Sequence, residues 1–238
     1  FFLFYVSAQF SGSGKTLEVT FHLDSTWGIL ISAAVVILYS MAGGFFSVVW
    51  TDAVQALLMI LSLGLLPVLA LLRVLDQGIP LQAALTAAGG GRDSWTGGLT
   101  GFAMGLMIFN NLGWFFGYLG GQPQLSSRWM AMRTDADVRT GAWIAVAWTF
   151  VAYAGAIVIG LTGLALYGAG AVDDAEKIFP YMVTRMLPPW LGGILLTGAV
   201  AAMMSTASSQ LLISASCVSQ DILCRSLGRS FSERTLVA

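Results

Sequence analysis

From Met186 to Gln220 the chain carries no charged side chain, and a run of that kind decides what it can fold into. A helix rises 1.5 Å per residue, so ~20 apolar residues cross the hydrocarbon core of a bilayer. Four other stretches, 25–51, 53–72, 94–127 and 140–172, are equally free of charge and long enough to span. Residues 1–10 (FFLFYVSAQF) read as the end of one more span. Charged residues make up 10% of the chain, against roughly 25% in soluble proteins, and apolar residues reach 57%, which excludes a water-soluble domain. Barrel strands would be short and alternating, unlike these unbroken runs. The pattern predicts an all-α polytopic membrane protein, one transmembrane domain with spans at 1–10 (partial), 25–49, 51–72, 97–121, 141–168 and 188–218.

The sequence reads as an internal piece of a longer protein. It starts at Phe1 inside an apolar run and stops at Thr235-Leu-Val-Ala, where apolar sequence resumes. A net charge of −1 gives no sign of a nucleic-acid partner. If spans alternate, the loops 122–139 and 222–238 share a side and hold Arg128, Arg133, Arg139, Arg225, Arg229 and Arg234. Lys15, Arg73, Arg92, Lys177 and Arg185 fall on the other, so the positive-inside rule makes the first set cytoplasmic. Cys217 and Cys224 lie seven apart on an expected helix, ~10 Å along its axis and too far for a disulfide, so both read as small packing residues.

Polar atoms at membrane depth are costly unless something satisfies them, which singles out three places. In the long run 198–213, helical spacing sets Ala202, Ser205, Thr206 and Ser209 on one face. Such a face of neutral oxygens suits a small cation, a polar solute or close contact with another helix. Segment 97–123 gathers Gly113, Gly117, Gly120, Gly121 and Pro123 among Trp114, Phe115, Phe116 and Tyr118. It is open to two readings: a span that unwinds to line a solute pocket, or a glycine-rich helix face closed by an interfacial turn. Asp52 is the only charge between Asp24 and Arg73, and with Gln55 three residues on it has the form of a capping box after the turn at 41–44.

Other motifs lead nowhere. Ser11-Gly-Ser-Gly-Lys-Thr16 lacks the first glycine of a phosphate-binding loop, since Gln9 stands there, and no strand precedes it. His22, the only histidine, lies beside Asp24 without a ligand cluster. With no nucleophile–base pair, the chain does not read as an enzyme.

Three blocks resemble the sodium/solute symporter family, and most its bacterial sodium/proline branch. They are Ser40-Met-Ala-Gly-Gly-Phe-Phe-Ser-Val-Val-Trp-Thr-Asp-Ala-Val-Gln55, Gly113-Trp-Phe-Phe-Gly-Tyr-Leu-Gly-Gly-Gln-Pro123 and Gly192-Gly-Ile-Leu-Leu-Thr-Gly-Ala-Val-Ala-Ala-Met-Met-Ser-Thr206, in the family's order and near its spacing. The resemblance implies part of the inverted-repeat, leucine-transporter-like fold, from the end of core helix 3 to core helix 8. It implies a sodium site made by the Ala202 carbonyl and the Ser205 and Thr206 hydroxyls, with further ligands on core helix 1, outside this chain. Substrate-side positions match Trp114, Tyr118 and Pro123, although the spacing from Tyr118 to Pro123 is one residue longer than the branch's. Asp52 matches an aspartate tied to sodium coupling, with helix capping an equal account.

The function so implied is secondary active transport in a bacterial inner membrane, with sodium entry driving uptake of a small solute, most simply proline. Sodium is then co-transported, and no organic cofactor is expected. Pantothenate, a carboxylate or a sugar are other solutes carried in the family. A symporter-like membrane domain of a sensor kinase, or an accessory membrane subunit without a site, would share this stretch of sequence.

Overall fold

The computed structural model describes residues 1–92, 94, 96–226 and 228, and for 114–121 the backbone alone. Among the described residues every regular element is helical, as the unbroken apolar runs predict. Arg229 and Arg234 lie outside the described residues. The chain divides into two compact units. Residues 1–65 join with those from Asp174 onward, and Leu66–Asp173 forms the second.

In the first unit, α1 (Phe2–Phe21) runs on as one helix past residue 10, where the partial span was expected to end. It continues past residue 10 because the charges near its end find partners. Lys15 Nζ lies 2.6 Å from Asp174 Oδ2 and 2.7 Å from Glu176 Oε2. Glu18 accepts from Lys177 Nζ at 3.0 Å. These ion pairs hold the 3-10 turn Ala175–Lys177 against α1. The helix stops at His22, whose left-handed backbone (φ 54) lets its N–H reach the Glu18 carbonyl at 2.9 Å.

The two spans expected at 25–49 and 51–72 form α2 (Ser25–Asp76), interrupted at Gly44. With φ 53 and ψ −142, Gly44 holds a conformation that a side chain would oppose. Both halves of α2 reach α8 (Pro189–Ser216). From the first half Tyr39 donates to the Met204 carbonyl at 3.4 Å, and from the second Ser62 donates to the Leu195 carbonyl at 2.9 Å.

Small residues permit the close crossing of α1 and α2. A Cβ on Gly28 would sit 2.9 Å from the Gly14 Cα, and one on Gly14 would sit 2.8 Å from the Ser25 carbonyl oxygen. Beside them the buried Ser13 and Ser32 hydroxyls share a 2.6 Å hydrogen bond. Val6, Val36 and Ala207 then close a core common to α1, α2 and α8. The short α7 (Ile178–Met186) buries Met182 and Val183, and Val183 faces Gly192 of α8.

The second unit holds the end of α2, then α3 (Leu81–Ala87), α4 (Gly101–Gly121), α5 (Pro123–Met130) and α6 (Asp135–Tyr167). The helix α3 packs on α6. The start of α6 is fixed by a reciprocal cap: Asp137 N donates to Thr134 Oγ1 at 3.1 Å, and Thr134 N to Asp137 Oδ2 at 3.2 Å. That cap explains why the helix begins six residues before the expected span. Trp143, Ile144, Val146, Phe150 and Ile157 project outward from α6, which suits a helix solvated by lipid. By length and composition α2, α6 and the stretch Pro189–Ser226 are each able to cross a membrane.

The single helix expected around Cys217 and Cys224 changes character there, with α8 passing into a π-helical stretch, Cys217–Ser226. Both thiols are unbridged, as their spacing predicts.

Two expectations follow. The Lys15 ammonium holds the Asp174 carboxyl below its ordinary value of 3.8, so this link is complete above that value and is lost as pH falls through the lower folded one. With the intrinsic pH dependence of exchange divided out, amide protection across 174–186 is therefore expected to stay constant from neutral pH to about 5 and to fall in stronger acid. Gly14→Val is expected to force α1 off α2, lowering the melting temperature of the detergent-solubilised protein by an amount equivalent to about 1–3 kcal/mol.

Candidate functional site

The oxygen-bearing face of α8 lies in the first unit, and its hydroxyls first satisfy themselves locally. Thr206 Oγ1 donates to the Ala202 carbonyl at 3.1 Å, so two of the three sodium-ligand candidates are already in contact. Ser208 and Ser209 donate to the Ser205 carbonyl at 3.0 and 2.9 Å. A hydroxyl that gives its proton to a carbonyl keeps its own lone pairs as acceptors. Thr206 Oγ1 therefore presents lone pairs rather than its proton, beside the Ala202 carbonyl and the Ser205 hydroxyl on one short arc of helix. That is the donor set a hard, weakly charged cation takes. These three residues are half-buried, whereas 207–210 are fully buried.

Asp52 is placed differently from its sequence expectation. The second half of α2 starts at Gly44, so Asp52 stands two turns inside a continuous helix and caps no helix start. The capping-box pattern with Gln55 misleads because the break comes eight residues earlier than that pattern requires. Its carboxylate instead accepts from Ser209 Oγ at 3.3 Å, across 157 residues of sequence. Near this contact Tyr39 donates its hydroxyl to the Met204 carbonyl of α8 at 3.4 Å. The result is a buried polar cluster joining both halves of α2 to α8. Ser209 belongs to the face expected from helical spacing, and the isolation of Asp52 in apolar sequence marks it as notable. No local signal ties the two together, and none marks Tyr39.

The solute-side candidates fall in the second unit. The α4 backbone stays helical through Gly121, and the break is confined to Gln122, which is extended (φ −92, ψ 111) before Pro123 opens α5. Of the two readings of the glycine segment, unwinding or a helix closed by a turn, the backbone follows the second, with a break of a single residue. The residue before a proline is driven out of the helical region, whereas each glycine can keep its helical hydrogen bond at modest cost. Pro123 is exposed at the first position of α5. The side chains of Trp114 and Tyr118 lie outside the described residues. Gln124, one residue past Pro123, is buried and contacts Gln122 through its amide, a polar pair that the glycine pattern does not announce.

Comparison with known proteins matches residues 1–237 to the sodium:solute symporter family. The chain is 33% identical to the sodium/proline symporter of Escherichia coli (strain K12) over 243 aligned positions, covering 100% of this chain and 47% of the relative. It is 32% identical, with the same coverage, to the osmoregulated proline transporter of Bacillus subtilis (strain 168). The sodium/proline symporter of Salmonella typhimurium is also 32% identical over the whole chain. The chain spans about half the length of these curated relatives. With a family match over nearly every residue and a helical fold built from membrane-spanning segments, this chain belongs to the sodium:solute symporter family.

Proposed function

We propose that the protein containing this chain couples sodium entry to uptake of a small organic solute, proline first among candidates, across a bacterial inner membrane. The observation that carries the reading is the arc of acceptor oxygens on α8, with the Ala202 carbonyl, Ser205 and Thr206 half-buried beside a fully buried polar cluster. Relatives named as sodium/proline symporters support the choice of ion and solute. Sodium is the driving substrate, and binding and translocation require no bond-making chemistry.

In this mechanism α8 supplies neutral oxygens that replace part of the ion's hydration shell. The neighbouring carboxylate of Asp52, joined to α8 through Ser209, lowers the electrostatic cost of bringing a cation into apolar surroundings. Trp114, Tyr118 and Pro123, beside the break at Gln122, are proposed to contact the solute. Aromatic faces and open backbone suit an amphipathic molecule such as an imino acid. Sodium and solute binding are then linked reciprocally, so each raises the affinity for the other.

Thr206→Ala removes one acceptor oxygen from the proposed ion and leaves the helix intact. Loss of an interaction with a charged group costs about 1.5–3 kcal/mol, so the sodium concentration for half-maximal uptake is expected to rise about ten- to hundred-fold. Solute preference is expected to hold. The check is labelled-solute uptake at graded sodium in membrane vesicles carrying the full-length protein, and an unaltered sodium dependence in both Thr206→Ala and Ser205→Ala would remove α8 from the ion site.

A further inference from the structure

Ser62, on the second half of α2, is 1% exposed. Its hydroxyl lies 2.8 Å from the carbonyl of Leu58 on its own helix and 2.9 Å from the carbonyl of Leu195 on α8. Directly opposite stands Gly198. A Cβ there would collide with Ser62 Oγ and would meet the Leu58 carbonyl oxygen at 2.5 Å. The two helices therefore touch backbone to hydroxyl, with no space for a side chain and no freedom to slide.

The position of this contact gives it a consequence. Gly198 precedes Ala202 by four residues, and Gly198, Ala202, Ser205 and Ser209 succeed one another at helical spacing along α8. At one end of this stripe α8 is fixed to Ser62, and at the other Ser209 meets Asp52. Both partners sit on the second half of α2, ten residues and ~15 Å apart along its axis. The proposed sodium ligands lie between these two attachments. One is neutral, short and sterically closed, and the other is a 3.3 Å bond to a carboxylate.

We propose that Ser62 is a positioning residue for ion binding. Its bond to Leu195, closed by the Gly198 contact, sets the depth and rotation of α8 so that the Ala202, Ser205 and Thr206 oxygens converge. The inference rests on the symport reading and extends it to a residue that makes no contact with the ion. Removing the hydroxyl creates no unsatisfied acceptor, because the Leu195 carbonyl already accepts from its own helix and Leu58 does likewise. Alanine also fits the space. A Ser62 that served only to hold the fold would therefore leave the sodium dependence of Ser62→Ala untouched.

The experiment measures sodium- and solute-dependence of uptake by the full-length protein in proteoliposomes, for the unmutated protein, Ser62→Ala, Ser205→Ala and their combination. Ser62→Ala is expected to raise half-saturating sodium three- to ten-fold while half-saturating solute at saturating sodium stays unchanged. In the Ser205→Ala background the same change is expected to add less than two-fold, because both act on one set of ligands. Gly198→Ala is expected to act in the same direction and more strongly, and Ser62→Ala carries the test if that variant fails to insert. Unchanged half-saturating sodium in Ser62→Ala, or full additivity with Ser205→Ala, overturns the positioning role and leaves symport standing. Sodium-independent uptake by the unmutated protein overturns the symport reading, and the inference with it.

Discussion

A hydroxyl inside an apolar helix has one inexpensive partner, the carbonyl one turn back, and α8 uses it repeatedly. Thr197, Thr206, Ser209 and Ser214 each donate to the residue four before. This local bonding is what allows so many oxygens to sit in a membrane span at all. For Thr206 it also fixes the polarity, since that proton is spent on the Ala202 carbonyl and the hydroxyl lone pairs remain as acceptors. Two features of the first unit rest on those hydroxyls: the proposed acceptor arc at 202–206 and the bond from Ser209 to Asp52.

Glycine and serine supply the other half of the architecture. Gly14 against Gly28, and Gly198 against Ser62, are points where helices approach within reach of each other's backbone. In lipid there is no hydrophobic gain from bringing two apolar helices together, so close contact and interhelical hydrogen bonds must hold them. The Ser13–Ser32 bond and the Ser62–Leu195 bond lie beside those glycines, pairing steric fit with a polar link. The charges at the end of α1 play the corresponding part where the helix leaves the apolar region, tying it to the turn before α7.

The helical class was legible because charge-free length is a one-dimensional property. The break at Gly44 was legible too, since a Gly-Gly pair in an apolar run marks where a chain can turn. The start of α6 was missed by six residues, because the reciprocal cap at Thr134 and Asp137 outweighs the local charge that ended the expected span. The glycines of α4 left unwinding and a helix closed by a turn both open, and the proline that follows dictates the break and limits it to Gln122. For the site, helical spacing alone put Ala202, Ser205, Thr206 and Ser209 on one face. What spacing could not supply was the partner of Asp52. A contact across 157 residues exists only once α2 folds back at Gly44 and both its halves meet α8. The same holds for Ser62, one serine among many until Gly198 is placed against it.

The proposal built on family membership and the acceptor arc on α8 is that a sodium gradient drives solute entry. The most direct test is uptake of labelled proline by sealed inner-membrane vesicles containing the full-length protein, with an inward sodium gradient or an equal potassium gradient. The account predicts transient accumulation above equilibrium with sodium and only passive equilibration with potassium. Equal accumulation under both gradients would contradict it.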